Sequence, residues 1–443
     1  MKKENLWNEK IPFIKEMKEF YLKMNYKGIN LWPIMANDIY TYYSNKNIEK
    51  KERKMIFLKC LFFKDEMNLT HKEKNKILVS YFMPREDHHS LVYKAIEDFP
   101  KEDLIILDNY ELKKKKGLKK GRIIFPNIFL FLKILNKFKR NKLKKLLGKY
   151  YYIILARTYQ RHQEIKRFHK LYKKILPKAY ISFCSQAFAE ETILTSICKI
   201  NKIPTFTLQH GFIVEYPYFH GAMILNENVI SDYNLIWGKT TYNVLKKYTN
   251  NSRLIVVGNP KYSSIVKNDS KIFNPKKCVV FFPVPGGETN TNKNMAKIIN
   301  DFAKKYPKII FEASVHPFDN LENYKKIMDA KNVNFADSNI PIMKRIEESD
   351  FIILHNSTIA IEALRYEKPI FRFNDKFLIN LWKNEDKFKD KKELERRFEK
   401  IKNPKTYQKF KKFYAKEFEK NFKITPNKKT PKVYYEEVIK RIK

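Results

Sequence analysis

Cysteine is sparse and unpaired in this chain. The four cysteines, Cys60, Cys184, Cys198 and Cys278, form no CxxC pair and have no histidine at metal-ligand spacing. That excludes a zinc finger or a disulfide framework and leaves them as small buried hydrophobes. No run approaches the roughly 18 apolar residues that cross a bilayer. The opening MKKENLWNEK is basic but lacks the apolar core of a signal peptide, so a cytoplasmic location is expected. A Gly-rich P-loop and a DxD-like metal pair are absent, and so are helix-turn-helix, zinc-finger and RNP-like patterns. Acidic residues are few: 48 Asp and Glu stand against 90 Lys and Arg, a formal net charge of +42.

That charge calls for an anionic partner: nucleic acid, an acidic membrane surface, or a phosphate-bearing substrate. A bias toward Lys, Asn, Ile and Tyr along the whole chain accounts for part of it. The missing nucleic-acid motifs argue against the first partner, so no nucleic acid is expected. At 443 residues, with 43% hydrophobic and 15% aromatic side chains, the chain is long and apolar enough for two domains, each with its own core.

Residues 1–75 mix aromatics with Lys and Glu at irregular helical spacing and read as a helical segment. KILVSYFMPRED (76–87) and DLIILDN (103–109) then look like buried strands separated by a helix-length gap. Between 113 and 149, IIFPNIFLFLKIL lies among Lys and Arg clusters. It fits either a helix at an acidic membrane surface or an amphipathic helix packed on its own domain. From Ala179 the rhythm sharpens through AYISFCS, IPTFTLQHG, NLIWGK, RLIVVGNP, KKCVVFFPVPGG, KIIFEASVHP, DFIILHNS and KPIFRFN. Short apolar runs ending in polar residues, mostly a helix-length apart, describe parallel sheets with crossover helices. The expected organisation is a helical segment over 1–75, an N-terminal Rossmann-like acceptor lobe over 76–225, a C-terminal Rossmann-like donor lobe over 226–375, and helices over 376–443.

Chemistry should gather at the strand ends. In LQHGF, His210 has an imidazole able to accept a proton near neutral pH, Gln209 precedes it, and Gly211 allows close approach to the backbone. In ASVHPF, His316 can donate to an anionic oxygen and Pro317 stiffens the loop; a plain strand-capping turn is the alternative. In HNSTIAIEAL, Asn356, Ser357 and Thr358 stand at a strand-to-helix junction, where they form an anion site or simply cap the helix. Glu362 lies one turn further on, where it reaches a donor's ribose or base or only the solvent. VVGNPKY contributes Gly258, Asn259 and the cation Lys261, or is an ordinary tight turn, as PVPGGETN is. Arg85, Asp87 and His88, with His89, follow the first clear strand as acceptor contacts or as a solvated loop.

Taken in order, strand–QHG, GNPKY, a strand ending in HP, and HNST–helix–EAL followed by KPI, the chain resembles GT-B glycosyltransferases of bacterial capsule and lipopolysaccharide assembly. The likeness is closest to enzymes with cytidine-activated donors: β-Kdo transferases, bacterial sialyl- and polysialyltransferases, and CDP-glycerol glycerophosphotransferases. It covers roughly Ala179 to Asn374. The resemblance implies two Rossmann-like lobes about a cleft, with His210 at the reacting hydroxyl, His316 at the phosphate, and Ser357 and Thr358 at a helix-end anion site. It also implies a nucleotide-sugar donor, CMP-activated, and a glycan or lipid-linked acceptor, with peripheral contact to the membrane's inner face. No cofactor and no metal beyond the donor are expected, because His316, the helix end and Lys261 would stabilise the leaving group. Sialyltransferases carry an acidic pair before the corresponding glycine where this chain has Gln209 and His210, a departure that counts against sialic acid transfer. The alternatives are a CDP-polyol phosphotransferase of the teichoic acid type, a basic nucleic-acid-binding protein, and a nonenzymatic assembly scaffold.

Overall fold

A computed structural model describes residues 12–44, 48–62, 64–65, 73–83, 85–108, 122–123, 126–215, 222–262, 264–283, 289–316, 319–337, 339–357, 359–376, 378–379, 381–382, 386–422 and 429–442. Two six-stranded sheets organise them. After a two-stranded hairpin, β1 (Asn25–Tyr26) and β2 (Ile29–Asn30), and the short β3 (Lys64–Asp65), the first sheet begins with β4 (Ile77–Tyr81) and β5 (Leu104–Asp108). β6 (Arg122–Ile123) pairs antiparallel with β3. The first sheet then takes in β7 (Ala179–Ser182), β8 (Thr205–Leu208), β9 (Tyr233–Ile236) and β10 (Leu254–Val256). Its order is β10-β9-β8-β7-β4-β5, all parallel. Every residue of β4, β7 and β8 is buried, as expected of strands covered on both faces.

The second sheet comprises β11 (Lys277–Phe281), β12 (Ile310–Ser314), β13 (Val333–Phe335), β14 (Phe351–Leu354), β15 (Ile370–Phe373) and β16 (Lys387–Phe388). It runs β13-β12-β11-β14-β15-β16, again parallel throughout. Strand order reverses between β4 and β7 in one sheet and between β11 and β14 in the other. At such switch points neighbouring crossovers diverge and leave a crevice above the carboxyl ends of the strands.

Helices cover both sheets. One face of the first sheet carries α1 (Pro12–Leu22), α2 (Trp32–Ser44), α3 (Lys50–Leu61), α5 (Ile128–Arg140) and α6 (Tyr151–Ile175), while α4 (Glu86–Ala95) follows β4. The long α6 anchors this layer: Thr158 hydrogen-bonds Tyr21 at 2.6 Å, and Arg161 bridges Asp38 and Glu164 at 2.9 and 2.7 Å. α7 (Ala189–Ile200) joins β7 to β8, α8 (Thr289–Lys305) follows β11, and α9 (Ile359–Leu364) follows β14.

The last two helices, α10 (Pro404–Phe422) and α11 (Thr430–Ile442), fasten the lobes together. α10 packs on α9 of the second lobe and on the helix Lys239–Leu245 of the first, and α11 packs on α4. Gly238 makes that crossing feasible, since a Cβ there would lie 2.2 Å from the Asn421 carbonyl oxygen.

Three expected boundaries move. β9 pairs with β8 and β10 with β9, so the first sheet extends past residue 226, where the second lobe was expected to start. The strand rhythm is the same in both lobes, and only hydrogen-bond pairing assigns a strand to its sheet. β16 brings the second sheet beyond residue 376, and the helices after it form a strap returning to the first lobe. Residues 1–75, expected to be helical, also contribute β1, β2 and β3.

Candidate active site

The carboxyl ends of β4, β7 and β8 set the first wall of the site. His210 stands two residues beyond β8, half-buried, with its Nδ1 buried and unpartnered. Its Nε2 lies 4.0 Å from Cys184 Sγ, and its ring centroid is 6.3 Å from that of His88 and 5.8 Å from that of Phe183. Burial, then the neighbouring His88 and Arg85, pushes the His210 pKa down to about 4. The imidazole is therefore neutral at physiological pH and able to accept a proton. The Cys184 thiol, buried, is pushed well above its ordinary range and stays protonated.

α4 brings the next residues in. Arg85 sits at its N-cap, its backbone N–H donating to the Tyr81 hydroxyl at 3.3 Å while that hydroxyl donates to the Arg85 carbonyl. His88 packs its ring 5.1 Å from Phe183. His89 and the Tyr93 hydroxyl both reach the Asp108 carboxylate at 2.8 Å, tying α4 to the end of β5. Asp87 also lies on α4, but its side chain is outside the described residues.

The second wall is the carboxyl edge of the other sheet. His316 follows β12, half-buried, and its carbonyl accepts the Asp319 N–H at 2.8 Å. Burial lowers the His316 pKa; Asp319 opposes that and Arg85 adds to it. The Arg85 guanidinium thus lies within electrostatic reach of histidines from both lobes. His355, at the end of β14, is enclosed and bonded to Asp375 at 2.8 Å, and Asp375 also accepts from the Thr291 hydroxyl. Asn292 on α8 donates to the Pro283 carbonyl at 3.1 Å, leaving its buried Oδ1 without a partner.

Several residues expected to contact substrate are committed elsewhere. Gln209 is buried, with Oε1 accepting from the Trp237 N–H at 2.7 Å and Nε2 donating to the Gly211 carbonyl and Thr241 hydroxyl at 2.8 and 3.0 Å. It shapes the turn that presents His210 instead of acting beside it. Gly211 needs no special explanation, since a Cβ there would meet nothing within 4 Å.

Gly258 has a φ of +97°, and its carbonyl accepts from Tyr434 at 2.8 Å; the Asn259 N–H donates to the Phe422 carbonyl at 3.3 Å. Both hold the C-terminal strap, with Lys261 on the same turn, and Asn259 Oδ1 caps the Lys261 N–H at 2.9 Å. Asn356 Oδ1 accepts from the Ile379 N–H at 2.8 Å. Ser357 Oγ accepts from the Ile359 N–H at 3.2 Å, which fits the capping alternative for this six-residue helix. Glu362 hydrogen-bonds the buried Tyr262. Pro317 and Thr358 lie outside the described residues.

Glu191 escaped notice in the sequence. Fully buried, it accepts from the backbone N–H groups of Cys184 and Phe82 and so clamps the ends of β7 and β4 across the switch point. An acidic residue in a helix's first turn is ordinary, so nothing in the pattern marked it.

No family model matches the chain, and no curated protein does. Solved structures do. A UDP-N-acetylglucosamine 2-epimerase is 12% identical, with a TM-score of 0.51 over 83% of this chain and 96% of that one. The Neisseria meningitidis UDP-GlcNAc 2-epimerase bound to UDP-GlcNAc is 14% identical, with a TM-score of 0.49 over 83% and 100%. Staphylococcus aureus TarM, in complex with fondaparinux, α-GlcNAc-glycerol and UDP, is 12% identical, with a TM-score of 0.42 over 64% and 59%. At such identities the likeness establishes architecture, and with two parallel six-stranded sheets the chain has the GT-B fold.

Proposed function

We propose that the protein is a glycosyltransferase that moves a sugar from a nucleotide donor to a surface-glycan acceptor. The observation that supports this reading is a neutral, half-buried His210 beyond the carboxyl end of β8, with the Arg85 charge lowering the pKa of both His210 and His316. In the proposed step His210 takes the proton of an acceptor hydroxyl as its oxygen bonds to the sugar's anomeric carbon. The bond from that carbon to the donor's phosphate oxygen breaks, and its electron pair leaves with the phosphate. Arg85 and His316 oppose the growing negative charge. His88 and the β4 end would face the acceptor, and the carboxyl edge of the second sheet would face the nucleotide.

A CMP-activated donor is the finer reading, resting on the QHG, HP and HNST order. The test is incubation of the protein with CMP-Kdo, CMP-sialic acid, CDP-glycerol and UDP-GlcNAc in turn, with lipid-linked and free glycan acceptors, read by phosphorus and proton NMR. Release of CMP coupled to a new glycosidic bond, abolished in His210→Ala, is expected. Attack on CDP-glycerol with CMP release would assign a phosphotransferase, and conversion of UDP-GlcNAc to its 2-epimer without any acceptor would overturn the transfer reading.

A further inference from the structure

The amino edge of the first sheet holds an open cavity of about 390 Å³, within the range of about 300 to 1,000 Å³ usual for small-molecule sites. Its walls are the β1–β2 hairpin, the last turn of α7, the residues that lead into β9, and Arg253 just ahead of β10. β8, β9 and β10 run parallel, and the last three of these segments each precede a strand. The cavity therefore lies at the edge opposite the one that bears His210.

Two cations meet at one point of its wall. Lys199 Nζ and Arg253 Nη2 both donate to the Ile230 carbonyl, at 2.7 and 3.0 Å. Lys199 also pairs with Asp232 at 3.0 Å, and that carboxylate accepts from the Thr205 N–H and hydroxyl at 3.1 and 2.7 Å. Arg253 commits Nε to the Asp232 carbonyl at 3.3 Å and Nη2 to the Ser231 carbonyl, while Nη1 reaches only the Thr249 hydroxyl, at 3.5 Å. Two positive charges thus stand against one carboxylate. Each keeps an N–H with no acceptor among the described residues: the third ammonium proton of Lys199 and the second Nη1 proton of Arg253.

The rest of the lining narrows the ligand. Ile29, Ile200 and Val229 present hydrocarbon, and among the described residues no aromatic and no acidic side chain lines the cavity. A nucleobase would find no ring to stack on, and a metal cation no carboxylate to bind it. We infer that the cavity is a second ligand site, remote from His210, for a small carboxylic acid with a short hydrocarbon body. Its carboxylate bridges Lys199 and Arg253 and matches their excess of one positive charge, and its hydrocarbon lies against Ile29, Ile200 and Val229. The site does not depend on the transferase reading, since none of its residues belongs to the carboxyl edge.

Calorimetric titration of the full-length protein with hexanoate, acetate and hexanol tests it. Hexanoate should bind saturably at one site, about tenfold or more tighter than acetate, the scale set by burying its extra methylenes. Hexanol, which lacks the charge, should bind about tenfold or more weaker than hexanoate. Lys199→Gln should weaken hexanoate binding about tenfold by removing one charged donor. Ile200→Glu should abolish it by setting a carboxylate on the wall, and because Ile200 is exposed the fold should be kept. Arg85→Gln, at the opposite edge, should leave it unchanged. No saturable hexanoate binding, acetate or hexanol binding as tight as hexanoate, or binding that survives both Lys199→Gln and Ile200→Glu would overturn the inference. So would loss of binding in Arg85→Gln, which would place the ligand at the carboxyl edge.

Discussion

Charging His210 should cost the folded protein stability, and the size of that cost follows from its surroundings. Its pKa is held near 4 against an ordinary 6.5, a gap worth about 3 kcal/mol at about 1.4 kcal/mol per pH unit. The sign is fixed by which state binds more protons. Between these two values the unfolded chain is protonated at this residue and the native chain is not, so stability rises with pH across about 4 to 6.5 and is lost as pH falls through it. Going from pH 7.5 to 5.5, the native protein should lose about 1 kcal/mol through His210 alone. Urea unfolding at several pH values, compared with His210→Gln, isolates this contribution. His162, lowered to about 4 by its own burial, contributes equally to both proteins and cancels in the difference. Parallel pH profiles for parent and variant would refute the view that His210 is enclosed and neutral.

Three substitutions probe the frame of the site. Gln209→Ala strips the buried Trp237 N–H of its acceptor and should cost about 1 to 3 kcal/mol in chemical denaturation, with turnover falling as His210 loses its turn. Ser357→Ala removes a helix cap and should cost about 1 kcal/mol; nucleotide affinity by calorimetry should change far less than with Arg85→Gln. Gly238→Ala drives a Cβ into the Asn421 carbonyl and should lower the melting temperature by displacing α10 from the first lobe.

Much of the architecture was legible because strands buried on both faces are short and largely free of charge. ILVSY, TFTL and FIIL are such runs, and all of their residues are buried. The division between sheets was not legible, since Leu254–Val256 has the same pattern as a strand of either lobe and only its pairing with β9 decides. Within QHG the two polar residues look alike in sequence. Gln209 turns inward to three backbone and hydroxyl partners while His210 remains beside the crevice, a distinction of direction that strand-end composition does not encode. Arg85 was expected as an acceptor contact. Its electrostatic influence on two histidines 106 residues apart, 210 and 316, arises only from the packed arrangement of the lobes.

The convergence of those histidines is open to one direct measurement. Histidine ring-proton NMR titrations of the parent and of Arg85→Gln report His210 and His316 separately. Removal of the shared guanidinium should raise both pKa values, because Arg85 lowers both. A rise at one histidine with none at the other would contradict the shared crevice on which the account rests.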